Sequence, residues 1–471
     1  MKIADYCVRK IRRSIKLVLR EAGQLGLVWP FVMFYSRIIE VVRPFKEDIQ
    51  SDIPTILALS PDRFVGDLAI LSNSKCFRVM KLPLKWQSKI LAIFGPTNIS
   101  ELMGASVYYN PGDNKYLIEV QGQLRMFLKK FLASLYSRLK IDCVIGAAIH
   151  YKRDYDWGLV SDEIGVPYIV LHKENIYMPK AYELLEAKYR KFGKFKGSQI
   201  VVHSVLMKDF FIKSGYCNPD NISALGCLRM DEFVKKVKLS SRGISKKRIG
   251  CNKKKVTLFS FTYGYMQVGL SGFEEMVHFP KNRDKGFVKL FENVHTSIAK
   301  LACNNKNIDF VIKPKWGGNW IDAIEYVFSK NNIESKRIDN LFIDSDINVH
   351  DLILESDVIC AFTSTTVLEA AISAKPVIIP YFDEALKAEL NELIEFKDNF
   401  NLMDIAYSPD EFERLIIERL NSPEVTQKCI KERYALFEKY VSSMEGDALD
   451  KYVNVINQVI KERQCVGYEG E

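Results

Sequence analysis

Residues 341–384 constrain the fold of this chain more than any other stretch. They read LFIDSDINVHDLILESDVICAFTSTTVLEAAISAKPVIIPYFDE and alternate strand, helix, strand, hydroxyl-rich loop, helix and strand. The apolar run 358–362 is short, follows Glu355, Ser356 and Asp357, and has the character of a strand buried on both faces. It runs directly into Thr363, Ser364, Thr365 and Thr366, where a helix has to begin. Hydroxyls at a helix start cap free backbone N–H groups. They also leave a positive dipole end and further donors facing outward, which suits a phosphate. Lys375 and Pro376 then lead into a second apolar strand, 377–380. This is a βαβ half-site for an anion at the carboxyl end of a sheet. Capping alone accounts for the same residue types, so the loop by itself leaves both readings open.

At 471 residues the chain is too long for one ordinary core and calls for two or three domains. Strand signals at 54–59, 79–82, 143–147, 168–171 and 200–203 alternate with helical periodicity, most clearly over 116–139. That alternation predicts an α/β domain with a parallel sheet over 50–232. Residues 233–255 carry many lysines and arginines with no acid, loosened by serines and glycines, and read as an interdomain linker. A second α/β domain is expected over 256–435. Its strands fall at 256–261, 310–312 and 341–343, and its helices at 286–304 and 320–330. Helices at 410–421 and 424–463 close the chain, with 436–471 as a C-terminal helical element.

The net charge of +9 is concentrated in part at the N-terminus, in Lys2, Arg9, Lys10, Arg12, Arg13, Lys16 and Arg20. An apolar segment, 25–35, comes next, with Trp29 and Phe31 near its centre. It is far shorter than the ~20 residues that span a bilayer, and Pro30 interrupts it. Residues 1–49 therefore predict a basic amphipathic helix that lies on an anionic membrane surface or packs on the protein. The ten cysteines show no CxxC pair or ligand spacing and read as reduced thiols of a cytoplasmic protein, with no metal site. The basic linker lacks interleaved aromatics, so no nucleic-acid partner is expected.

Candidate chemistry gathers in loops after strands. In the second half these are Thr262-Tyr263-Gly264, Lys313-Pro314-Lys315 and Thr363–Thr366. Pro314 stiffens a loop whose lysines would project toward an anion, although a solvated turn explains them too. Glu369 lies three residues after Thr366, a capping-box spacing. His350 starts a helix and is read as lying near a nucleobase. In the first half, Asp62 and Asp67 follow the first strand around Arg63, placed to hold an acidic group or depress a carboxylate pKa. His172 and Glu174 follow the strand at 168–171, and His150 follows 143–147 similarly. Asp67 as a helix cap and His203 as a core histidine are the plainer readings.

The run His350-Asp351-Leu352-Ile353, Ser356-Asp357-Val358-Ile359, Ser364-Thr365-Thr366, Leu368-Glu369-Ala370 and Lys375-Pro376-Val377-Ile378 resembles the nucleotide-binding half of GT-B glycosyltransferases. It is most similar to bacterial surface-polysaccharide enzymes, including transferases of CMP-activated acidic sugars and CDP-glycerol glycerophosphotransferases. Residues 440–448 resemble the "DG-small-small" close of those proteins, and Gly226-Cys227-Leu228-Arg229-Met230-Asp231 their "G-x-x-R-x-D" segment. The resemblance spans roughly 165–460. It implies two Rossmann-like domains facing a cleft, with the terminal helix bracing the first. It implies a donor site of Thr262, Tyr263, Lys313, Lys315, His350, Thr363, Ser364, Thr365, Thr366 and Glu369, the last on ribose hydroxyls. It also implies a nucleotide-sugar substrate, no cofactor or metal, and a glycan or lipid-linked acceptor at the inner membrane face. Lys313-Pro314 stands where the relatives carry His-Pro, so the histidine's role does not transfer. Sugar transfer then requires a base, for which Asp62, Asp67, His172 and Glu174 are candidates. A CDP-polyol phosphotransferase, a sugar-nucleotide epimerase and a non-catalytic scaffold are the alternatives.

Overall fold

The computed structural model describes residues 14, 17–19, 21–23, 25–42, 53–94, 105–177, 179–241, 253–261 and 286–468. The chain divides into two compact units, each a Rossmann-like α/β layer around a mostly parallel sheet. The first comprises residues 1–175, 185–231 and 447–471, and the second 176–184 and 232–446.

In the first unit the strands are β1 (Glu40–Val41), β2 (Thr55–Ala58), β3 (Arg78–Lys81), β4 (Cys143–Gly146), β5 (Tyr168–Leu171), β6 (Gln199–Val202) and β7 (Ile222–Ala224). They form a seven-stranded sheet in the order β1-β3-β2-β4-β5-β6-β7. All neighbours are parallel except β1, which runs antiparallel along β3. β2, β4, β5 and β6 are buried at every position, as strands covered on both faces must be. Helix packing is close at Gly158, where a Cβ would come within 2.3 Å of the Tyr168 ring, so no larger residue fits between Lys152–Glu163 and β5.

The second unit contains β8 (Lys254–Phe259), β9 (Ile308–Lys313), β10 (Leu341–Ile343), β11 (Val358–Cys360), β12 (Val377–Pro380) and β13 (Asp404–Ala406). Its six strands are all parallel, in the order β10-β9-β8-β11-β12-β13. The helix Val349–Glu355 ends with its last carbonyls accepting from Lys375 Nζ, 3.1 Å from Ile353 O, a cationic C-terminal cap.

Several expectations change. The helix Trp29–Ile38 is not a free N-terminal face: Phe31 and Tyr35 are buried against Phe131, and Tyr35 donates to Trp86 O at 2.8 Å. With β1 in the sheet, residues 29–42 belong to the first unit, not to a separate element. The seven basic residues at positions 2–20 lie outside the described residues. Residues 233–241 are not linker: the helix Met230–Ser241 covers them, its apolar face burying Phe233, Val234 and Val237. Lys254 and Lys255 are strand, and 242–252 lie outside the described residues. The expected helix 424–463 is two, Gln427–Tyr440 and Ala448–Tyr468, separated by a turn at Gly446 with φ 67°. In the first unit Asp231 accepts from Ala448 N and Leu449 N at 3.1 and 2.8 Å. It thereby caps the terminal helix instead of opening a linker. Tyr452 Oη donates to Gly226 O at 3.0 Å, so the 226–231 segment anchors that helix.

Candidate functional site

Parallel sheets of this kind place their ligand loops at the strand carboxyl ends, where the winding reverses. In the second sheet that point lies between β8 and β11. The loop leaving β11 carries Thr363 at φ 29°, an uncommon conformation for a β-branched residue. Thr363 Oγ1 accepts from Glu395 N at 3.1 Å, which ties the loop to a distant segment. Ser364 is the N-cap of Thr365–Ala371 and accepts from Thr366 N at 3.3 Å. Thr365 is exposed, while Thr363, Ser364 and Thr366 are half-buried.

Glu369 does not close a capping box. Its carboxylate is buried and lies 3.3 Å from His350 Nε2. The His350 ring stacks on Phe233 at 4.3 Å between centroids, so one of its faces is occupied. Lys313 ends β9, but its ammonium turns inward. Nζ donates to Ser345 O at 2.6 Å and Pro314 O at 3.1 Å, and burial lowers its pKa. It fastens two loops together instead of projecting toward an anion. Lys315 is exposed, with Nζ 4.8 Å over the Trp316 ring. Thr262 and Tyr263 lie outside the described residues. Glu395 gave no signal in the sequence: burial pushes its carboxyl up to about 7, with the Lys315 charge opposing.

In the first sheet the winding reverses between β2 and β4. Asp62 is exposed in the short turn Pro61–Arg63. Asp67 sits in the first turn of Val65–Asn73 and makes no cap. Burial raises its pKa, and the main opposing cation is Arg229, Nε 3.6 Å away. The expected partner, Arg63, lies instead 5.7 Å over the Tyr151 ring. Lys173 Nζ donates to Arg63 O at 2.8 Å and stands 3.7 Å from the exposed Glu174. His172 is 1% exposed, and its Nε2 has no hydrogen-bond partner. Burial drives its pKa well down, and lowers His150 to about 4 and His203 to about 3. These imidazoles are neutral and weakly basic. Among the described residues no group of three His, Cys, Asp or Glu side chains could hold a metal, and no helix is long and apolar enough to cross a membrane.

The fold and these loops define a class: an α/β chain of two Rossmann-like units, each with polar side chains at its switch point. No protein-family model matches the chain, and no curated protein matches it. Among solved structures it is similar to a UDP-GlcNAc 2-epimerase from Neisseria meningitidis bound to UDP-GlcNAc, at 13% identity, TM-score 0.45, covering 86% of this chain and 99% of that one. It is similar to a glycosyltransferase from Rickettsia africae at 12% identity and TM-score 0.43, covering 87% and 99%. MurG of Acinetobacter baumannii matches at 12% identity and TM-score 0.42, covering 86% and 99%. At these values the likeness identifies neither reaction nor substrate.

Proposed function

We propose that the chain is a GT-B-type glycosyltransferase that takes a nucleotide-activated sugar, CMP-linked or another, as its donor. The observation that carries this reading is the second switch point. A strained Thr363, a run of hydroxyls at the start of Thr365–Ala371, and Glu369 of that helix paired with His350 of Val349–Glu355 lie on adjoining elements. The hydroxyls and Lys315 would meet the phosphates, with protein donors and cations taking the developing charge. Glu369 would meet ribose hydroxyls. Lys313 would hold the loop that carries Lys315.

The acceptor, a surface glycan or lipid-linked sugar, is assigned to the carboxyl edge of the first sheet. Its hydroxyl oxygen would attack the anomeric carbon as the bond to phosphate oxygen breaks. The hydroxyl proton would pass to Asp67 or Glu174, and the nucleotide would leave with the bonding electrons. Basic residues 2–20 would bring the protein to the anionic inner face of the cytoplasmic membrane.

A thermal-shift screen against CMP, CDP, UDP, GDP and their sugar conjugates tests the reading. A ligand at ~100 times its dissociation constant adds roughly 2.7 kcal/mol of stability. A selective shift, followed by nucleotide release from that donor, supports it. Interconversion of sugar nucleotides without acceptor would make the chain an epimerase, transfer from a CDP-polyol would make it a phosphotransferase, and no shift at all would leave a scaffold.

A further inference from the structure

The switch point of the first sheet is bridged by buried side chains. The loop that leaves β2 begins at Ser60, whose φ of 47° lies in the left-handed region. A residue with a Cβ enters that region only when its surroundings hold it there. Ser60 N donates to Gln87 Oε1 at 3.1 Å, and Ser60 Oγ donates to Asp154 Oδ1 at 2.6 Å. Gln87 Nε2 donates to the same Oδ1 at 2.6 Å and to Arg153 O at 3.1 Å. Ser60, Gln87 and Asp154 are 2%, 0% and 1% exposed. Asp154 belongs to the first turn of Lys152–Glu163, the helix after β4, so the clamp crosses the reversal between β2 and β4.

This arrangement is expensive. Asp154 Oδ2 is buried without a hydrogen-bond partner. Burial pushes the carboxyl up to about 6 against the hydrogen bonds from Ser60 and Gln87. A buried carboxylate with an unpaired oxygen adds little to stability, so its use is sought in placement. The segment after Ser60 supplies that use. Pro61–Arg63 turns tightly and Phe64 is buried, and a Cβ on Gly66 would stand 3.1 Å from Arg229 Cδ. A change at Ser60 therefore moves Asp62, Arg63 and Asp67 together.

We propose that Asp154 is the positioning residue of the first unit's site, acting with Gln87 through Ser60 to set where Asp62, Arg63 and Asp67 stand. The inference rests on reading that edge as the acceptor side. The test compares the full chain with Asp154→Leu, Asp154→Asn, Ser60→Ala, Ser60→Gly and the Asp154→Leu/Ser60→Gly double variant. Three quantities are read: hydrogen exchange of the amides of 61–67, affinity for the nucleotide sugar found by the screen, and nucleotide release from it.

Asp154→Leu is expected to raise exchange in 61–67 and to slow release by about tenfold or more, with donor affinity unchanged. Asp154→Asn stays within about threefold, because its amide oxygen accepts the same two hydrogen bonds. Ser60→Ala raises exchange while Ser60→Gly does not, since glycine takes positive φ freely. For the same reason the double variant recovers most of the release lost by Asp154→Leu. Wild-type exchange and release in Asp154→Leu and Ser60→Ala would overturn the proposal, as would a folded double variant without recovery. If the wild type turns over no nucleotide sugar, the transferase reading fails, while the exchange pattern and its glycine recovery still decide the clamp.

Discussion

The two carboxyl edges meet the same topological problem with opposite means. In the first unit, the polar groups under the switch point are sealed: Ser60, Gln87, Asp154 and His172 are all buried. Nearby, Asp156 is fully buried, bonded by Tyr108 Oη and lying 2.8 Å from Arg125 Nε. In the second unit Thr363, Ser364 and Thr366 are half-buried and Thr365 is exposed, and the loops are tied by Lys313 Nζ on backbone carbonyls and by Thr363 Oγ1. One edge is fixed by side-chain bonds to a buried carboxylate, the other by a buried lysine held on backbone carbonyls. The first should resist change until a charge is stranded, then fail sharply. The second should soften by degrees.

The sharpest way to break the contrast is Arg125→Met. It strands the Asp156 carboxylate and should cost about 3 kcal/mol, read as a fall in the urea midpoint with an unchanged slope. A loss below about 1 kcal/mol would show that the first unit does not depend on this buried charge pair. In the second unit Lys313→Met removes two charge-assisted bonds to carbonyls, and about 2 kcal/mol is expected. The variant should still bind the donor, but more weakly, because the loops lose their tie. Ser364→Ala should cost about 1 kcal/mol, the usual worth of an N-cap. It should weaken nucleotide binding without unfolding the chain. Loss of fold and binding in equal measure would mean the hydroxyl is only a cap.

The smallest effect concerns pH. Glu395 has a folded pKa near 7, above its ordinary 4.5, so the folded state holds the proton more tightly than the unfolded state. Stability from this group is fully present below about 4.5 and is lost as pH rises through about 7. Glu395→Gln should therefore gain on the order of 1 kcal/mol over wild type at pH 8 and almost nothing at pH 4. Equal melting shifts at both pH values would contradict the raised pKa.

Much of this was legible in the residues. The apolar runs at 168–171 and 377–380 are strands with those bounds, because a strand covered on both faces admits little else, and 341–343 is a strand at the sheet edge that leaves Phe342 exposed. The hydroxyl run at 363–366 does begin a helix, since Ser and Thr are strong N-caps. The linker was misread because lysines at 235, 236 and 238 dominate the composition, while the apolar positions 233, 234 and 237 between them follow a helical period. Glu395 and Asp154 carry no local signature at all. Each is distinguished by what lies beside it, 32 residues away for Glu395 and Thr363 and 94 for Asp154 and Ser60.

By itself, then, the sequence determined the α/β class, most strand positions and the hydroxyl loop. Those depend on short-range periodicity, capping and burial, which act within a few residues. The tertiary structure alone decided which charges meet. It turned Lys313 onto carbonyls, gave Asp67 to Arg229 instead of Arg63, paired Glu369 with His350 and set Asp154 under Ser60. Electrostatic partners and desolvation depend on distances across the sheet, and side-chain spacing along the chain does not encode them.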